Sequence, residues 1–131
     1  MSHFTKVATR IADEQALTSA LEDFGYRVER HDQAVKLRGF LGQSRRGHVV
    51  VRREQLPVRW SDLGFERGTD GVYQAWIDSD LMEHDPRFLE RLTARSAYHA
   101  SVRTLETQGF TIADEQKAAD GTVRLVLRRH A

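Results

Sequence analysis

Two stretches of this chain follow one pattern 84 residues apart, and that pattern narrows the available folds more than any other feature. "ALEDFGYRVE" (20–29) and "TLETQGFTIA" (104–113) each run leucine, glutamate, two further residues, glycine, an aromatic residue and an alternating segment. In the first copy Ala16, Leu17, Ala20, Leu21 and Phe24 form one apolar stripe at helical spacing, with Asp13 as the expected N-cap. Gly25 and Gly109 then sit where a left-handed residue would end each helix. Beyond them Tyr26 and Val28 alternate with Arg27 and Glu29, which is strand periodicity. Asp85-Pro86 reads as the start of the second helix, a capping carboxylate followed by proline.

A strand precedes each helix, "HFTKVATRI" and "VYQAWID" (72–78), and Asp120-Gly121 marks a tight hairpin late in the chain. Val35-Lys36-Leu37 and Val123-Arg124-Leu125 extend the likeness, now 88 residues apart. The expected architecture is a single α+β domain over residues 1–131: a mostly antiparallel sheet with two helices on one face, built from a strand–helix–strand–strand unit used twice. Repeat 1 spans about 3–41 and repeat 2 about 71–130, and a basic hairpin insert at about 45–67 supplies "HVVVRR" and "LGFERG" as further strands.

Charge is unevenly placed. Residues 36–67 carry eight basic groups and three acidic ones, whereas the flanking segments are each mildly acidic, although the whole chain has a formal net charge of only +1. A basic middle third between acidic ends can steer an acidic partner. With no cysteine in the chain, disulfides, thiolate nucleophiles and cysteine-based metal sites are excluded. The start, "MSHFTKVATRIAD", lacks the apolar run of a signal peptide, and no segment approaches the ~20 apolar residues that span a bilayer. The expectation is a soluble cytoplasmic protein that does not engage a membrane.

Several local patterns suggest chemistry. Tyr98 and His99 are adjacent on the second helix and form a candidate functional pair, but neighbouring helix positions point about 100° apart. His99 falls in the apolar arc, where a histidine hydrogen-bonded to a strand or an acid is an ordinary packing element. "WIDSDLMEHDP" clusters Asp78, Asp80, Glu83, His84 and Asp85, yet Leu81 and Met82 break the calcium-loop pattern, so a solvated strand–helix loop and no metal site is expected. "GQSRRGH" (42–48) has the glycine spacing of a phosphate loop but lacks its lysine and helix, leaving a glycine-bracketed basic turn. "RGFLG" (38–42) begins like the aromatic motif of RNA-reading sheets and then departs from it. The six histidines, His3, His31, His48, His84, His99 and His130, stand in no recognisable nucleophile–base arrangement, and no cofactor is implied.

Taken together, "MSHFT", "RGFLGQ" (38–43), "DLGF" (62–65), "FLERL" with "AYH" (88–92 and 97–99), "QGF" (108–110) and "GTVRLVLRR" (121–129) resemble an uncharacterised family. It takes its name from hypothetical chloroplast reading frame thirty-five and is also known as DUF1257. The resemblance implies an accessory role beside an AAA-type ATPase and small companion proteins, and it carries no catalytic residue onto this chain. "SRRGHVVVRRE" and "ERGTDGVYQAWIDSDL" depart from the family pattern.

The resulting expectation is a non-enzymatic binding or adaptor protein. Arg45, Arg46, Arg52 and Arg53 would dock on an acidic protein surface, with the AAA-type ATPase as the partner the resemblance suggests. Free strand edges would also allow a homodimer. One alternative is a small-ligand or enzymatic domain using His99. Another is nucleic-acid binding through residues 36–67.

Overall fold

The computed structural model describes residues 3–129. His130, among the histidines considered above, and the first two residues of "MSHFT" lie outside the described residues. In chain order the elements are β1 (Phe4–Ala8), α1 (Glu14–Asp23), β2 (Glu29–Arg38), β3 (Ser44–Val51), β4 (Leu63–Arg67), β5 (Tyr73–Asp78), α2 (Ser79–His84), α3 (Phe88–Thr107), β6 (Phe110–Lys117) and β7 (Val123–Arg129). Five strands form one antiparallel sheet in the order β1-β5-β4-β3-β2, and β6 and β7 form a separate hairpin. The class is α+β with a mostly antiparallel sheet, as the periodicities indicate.

Local chemistry explains the first helix. Asp13 Oδ1 accepts the amide of Ala16, which satisfies one donor of the opening turn. At the other end Gly25 has φ 95°, and the amides of Gly25 and Tyr26 bond the carbonyls of Glu22 and Leu21. That is the Schellman pattern, and it turns the chain out of the helix toward β2. Gly109 repeats the device behind α3, with φ 88° and its amide on the Glu106 carbonyl.

Residues on alternate positions of the sheet bury Val49, Val51, Leu63, Phe65, Ala75 and Ile77 against Leu17, Leu21 and Leu92 of the helices. Helices α1 and α3 thus share one face. They run antiparallel, because Asp13 at the start of α1 pairs with Arg103, and Asp23 at its end pairs with Arg95. The opposite face holds a smaller core of Phe4, Leu37 and Val50, flanked by Val35 and Trp76.

The β2–β3 hairpin builds that second core by folding back over the sheet. Its register shifts between Arg30 and Val35, which lets the pair bend. Leu37 comes to rest on Gly64 of β4, although β2 is not that strand's neighbour in the sheet. The connecting turn reaches the far edge, where the Phe4 amide donates to Gln43 Oε1 at 3.0 Å.

Several expectations need correction. "WIDSDLMEHDP" is not a plain loop: it forms α2, capped by Asp78, whose Oδ1 accepts the Asp80 amide at 2.8 Å. Asp85 does not cap α3; it ends α2 and pairs with Arg91, and α3 begins behind Arg87 with no side-chain cap. "RGFLG" is not a reading strand: only Arg38 belongs to β2, and Phe40–Gly42 makes a 3-10 turn. The twofold strand–helix–strand–strand unit is not shown beyond its helix and glycine. Residues 29–38 are one continuous, bulged strand, whereas the matching region after α3 is a hairpin separate from the five-stranded sheet. The segment 45–67, expected as an insert, contains β3 and β4, two interior strands.

Candidate functional site

The basic segment is organised around one buried carboxylate. Asp62 has a side chain with no solvent exposure, and its two oxygens accept the amides of Arg38 and Arg53, each at 2.7 Å, and Arg52 Nη1 at 3.0 Å. The Arg52 guanidinium then grips Glu29 with two bonds, Nε to Oε2 at 2.8 Å and Nη2 to Oε1 at 3.0 Å. Bidentate geometry of this kind is among the stronger polar contacts. Arg38 closes the group through Glu54, 2.6 Å from its Nη2. Arg52 therefore ties together β2, the end of β3 and the loop leading into β4.

That network sets an acid limit. The hydrogen bonds from Arg52, reinforced by His31 and opposed by burial, hold the Glu29 carboxyl down from 4.5 to about 2. A depressed folded-state value means the stabilisation is fully present above the ordinary carboxylate range and is lost as pH falls toward about 2. Because Glu29 remains partly exposed, solvent screening reduces its worth. An acid titration followed by circular dichroism is expected to show Glu29→Gln flattening the stability loss between about pH 4.5 and 2. An unchanged slope would remove Glu29 from the acid response.

The other arginines of the expected docking group are held differently. Arg45 and Arg46 open β3 and are exposed. Arg45 lies over the Trp76 ring with Cζ 5.2 Å from its centroid, and Lys6 Nζ lies 5.7 Å from the same centroid. The indole Nε1 donates to Glu66 at 3.1 Å, which fixes the ring as a platform for both cations. Arg46 reaches only the Ala34 carbonyl, at 3.5 Å. Among the described residues no carboxylate lies within salt-bridge distance of Lys6, Lys36, Arg45 or Arg46. Arg53 is half-buried and donates to the Trp60 carbonyl at 3.4 Å, beside the exposed Phe40–Trp60 pair, whose ring centroids are 6.3 Å apart. The four arginines thus belong to separate environments, with Arg45 and Arg46 on the bent hairpin and Arg52 and Arg53 on the Asp62 network.

Tyr98 and His99 are brought together only edge to face, with ring centroids 5.2 Å apart, and their polar atoms go to different partners. The Tyr98 hydroxyl donates to Glu115 Oε2 at 2.6 Å, and that bond together with burial raises its pKa. His99 Nε2 lies 2.6 Å from Asp23 Oδ2, the same oxygen that Arg95 Nε holds at 2.6 Å. Burial pushes the Asp23 carboxyl up, but the bonds from His99 and Arg95 outweigh it and leave it lowered. His99 therefore faces the α1–α3 seam, half-buried, and not the apolar interior that the helical arc indicated. Of the acidic cluster before α3, Asp78 accepts the Ser61 hydroxyl at 2.8 Å, and Asp85 is engaged by Arg91.

Sequence reasoning missed Asp62 and Trp76. Both break a local pattern. Asp62 is a lone carboxylate between the apolar Leu56-Pro57-Val58 and Leu63. Trp76 is a large aromatic residue on the parity opposite Tyr73, Ala75 and Ile77.

No helix among the described residues is long and apolar enough to cross a membrane. The family described as "Protein of unknown function (DUF1257)" matches residues 20–126. Proteins called "Uncharacterized protein ycf35" are similar over nearly the whole length. The one from Pyropia yezoensis is 28% identical, that from Cyanophora paradoxa 27% and that from Guillardia theta 26%, with 98% of this chain and 98% of each relative covered. That name denotes a chloroplast reading frame and lends no support to the expected cytoplasmic location. No solved structure matches.

Proposed function

The chain belongs to the DUF1257 family, which brings no chemistry with it, and from that premise we propose a non-enzymatic adaptor that docks on an acidic protein surface. The observation that carries this reading is the pair Lys6 and Arg45 stacked on the Trp76 ring, with the register partners Lys36 and Arg46 on the same hairpin as Arg45 and none of the four within reach of a carboxylate among the described residues. Among the described residues Arg30, Arg38, Arg52, Arg87, Arg91, Arg95 and Arg103 each meet an acid, whereas Arg10, Arg27, Arg53, Arg59, Arg67, Arg124, Arg128 and Arg129 do not, so the shared indole is what sets Lys6 and Arg45 apart. Three of these cations lie on the β2–β3 hairpin and Lys6 on β1 meets Arg45 at the shared indole, and together they raise the local potential and speed encounter with an acidic partner.

The AAA-type ATPase suggested by the resemblance is the first partner to test. Tagged wild type is expected to retain the purified ATPase, and Arg45→Glu with Arg46→Glu to weaken binding about tenfold or more, with a steeper penalty at low salt. Equal retention of both chains would count against this face. Binding of single-stranded nucleic acid that falls steeply with salt would favour the nucleic-acid reading instead.

A further inference from the structure

Phe40 and Trp60 lie 20 residues apart in the chain, yet their rings meet at the surface with 6.3 Å between centroids. They stay 36% and 42% exposed, and among the described residues no other phenylalanine, tyrosine or tryptophan is exposed. Buried polar contacts hold the backbone beneath both rings. The Phe40 amide donates to Ser61 Oγ at 3.2 Å, and that hydroxyl donates to Asp78 Oδ2 at 2.8 Å. The Asp62 amide donates to the Arg38 carbonyl at 2.8 Å, and the Arg38 amide donates back to Asp62 Oδ2 at 2.7 Å. Ser61, Asp62 and Asp78 are all buried. The pair therefore stands on a fixed support, and a partner that covers it has little new structure to order.

The charges around the rings indicate that partner's chemistry. Arg53 Nη1 donates to the Trp60 carbonyl at 3.4 Å, and Arg59 is exposed in the same turn as Trp60. Among the described residues neither arginine has a carboxylate within salt-bridge distance. Glu54, the only acid in residues 53–60, is already held by Arg38 at 2.6 Å. The two rings are tilted 57° to each other, which suits one apolar side chain packed against both; successive stacked bases would need near-parallel faces. An exposed tryptophan beside arginine has the composition of an interface hot spot, and its complement is an apolar residue flanked by acids.

We infer that the Phe40–Trp60 patch is a docking site for an acidic segment of a partner protein, which seats one bulky apolar side chain on the rings and its carboxylates on Arg53 and Arg59. This goes beyond the docking face of Arg45, Arg46 and Trp76 and does not rest on it. A labelled peptide with phenylalanine and leucine at its centre and acidic residues on both sides is the probe. In fluorescence anisotropy it is expected to bind the full chain with half-saturation at about 10–100 μM. Trp60→Ala should weaken binding about tenfold or more, and Arg53→Gln with Arg59→Gln should do so at low salt. Serine in place of the peptide's phenylalanine and leucine should cost as much as Trp60→Ala. The variants keep the backbone bonds at Arg53 and Trp60, and circular dichroism checks that they fold. Absence of binding at high micromolar chain, equal binding of the serine peptide, or full affinity in Trp60→Ala overturns the inference. Tighter binding of a single-stranded thymidine oligomer, abolished by Trp60→Ala, overturns it in favour of nucleic acid.

Discussion

Asp62→Ala is expected to cost about 3–5 kcal/mol of folding stability, the largest single effect in the molecule. The carboxylate is wholly enclosed and accepts two backbone amides, the Arg52 guanidinium at 3.0 Å and, at 3.5 Å, that of Arg38. Removing it leaves the Arg38 and Arg53 amides without their acceptor and takes from Arg52 one of its two carboxylate partners, Glu29 remaining, and an abandoned buried donor loses more than the bond was worth. Asn at the same position keeps the shape but turns an NH2 group toward one of the two amides, so a smaller loss of about 1–3 kcal/mol is expected. Urea denaturation followed by circular dichroism measures both. In the Asp62→Ala background, Arg52→Ala should cost less than it does alone, because the two act through one network. A loss for Asp62→Ala within about 0.5 kcal/mol, the range of an ordinary surface change, would mean the network is ornamental.

The contrast between what could and could not be read in the sequence follows from the range of the interactions involved. Asp13, Gly25, Gly109 and the Asp120-Gly121 turn act within a few residues of themselves, and each appears where its local chemistry requires: Asp13 caps, both glycines have positive φ, and Asp120 Oδ1 holds the Thr122 amide. Asp85 carries an equally strong local signal, but it ends α2 and meets Arg91 six residues on, so α3 starts two residues later behind Arg87. The likeness between Val35-Lys36-Leu37 and Val123-Arg124-Leu125 failed because of tertiary contact. Similar residue types close a buried lid in one place and stand half-exposed in the other, because only the first meets Gly64. The arginine group shows the limit most clearly. Counting charges along residues 36–67 makes Arg45, Arg46, Arg52 and Arg53 equivalent, but Asp62 and Glu29 claim Arg52, and Trp76 attracts Arg45. Those partners lie 10 to 31 residues away, beyond any local motif. His99 was placed by its helical phase, which cannot register that Asp23 ends α1 beside it.

The bent hairpin leads to the second large effect. A Cβ built on Gly64 would stand 2.4 Å from Leu37 Cδ1, 2.7 Å from Cδ2 and 3.1 Å from Cγ. Leu37 is fully buried between the sheet and its folded-over hairpin, so it has no open side toward which to rotate. Gly64→Ala therefore forces the lid upward or Leu37 off its rotamer, at about 1–3 kcal/mol. A loss of that size lowers the melting temperature by roughly 4 °C per kcal/mol. Leu37→Ala alone removes the clash partner but opens a cavity, at about 2–5 kcal/mol. If crowding is the cause, adding Gly64→Ala to Leu37→Ala should cost little or recover part of the loss, since the new methyl enters the vacated space. Gly64→Ala being as harmful in the Leu37→Ala background as in the wild type would place the cost in the backbone and separate the lid from the sheet. The same pair of variants reports on docking, because Arg45 reaches Trp76 only while this lid is closed. Loss of partner binding in Gly64→Ala, with recovery in the double variant, is the pattern expected if the bend itself positions Arg45.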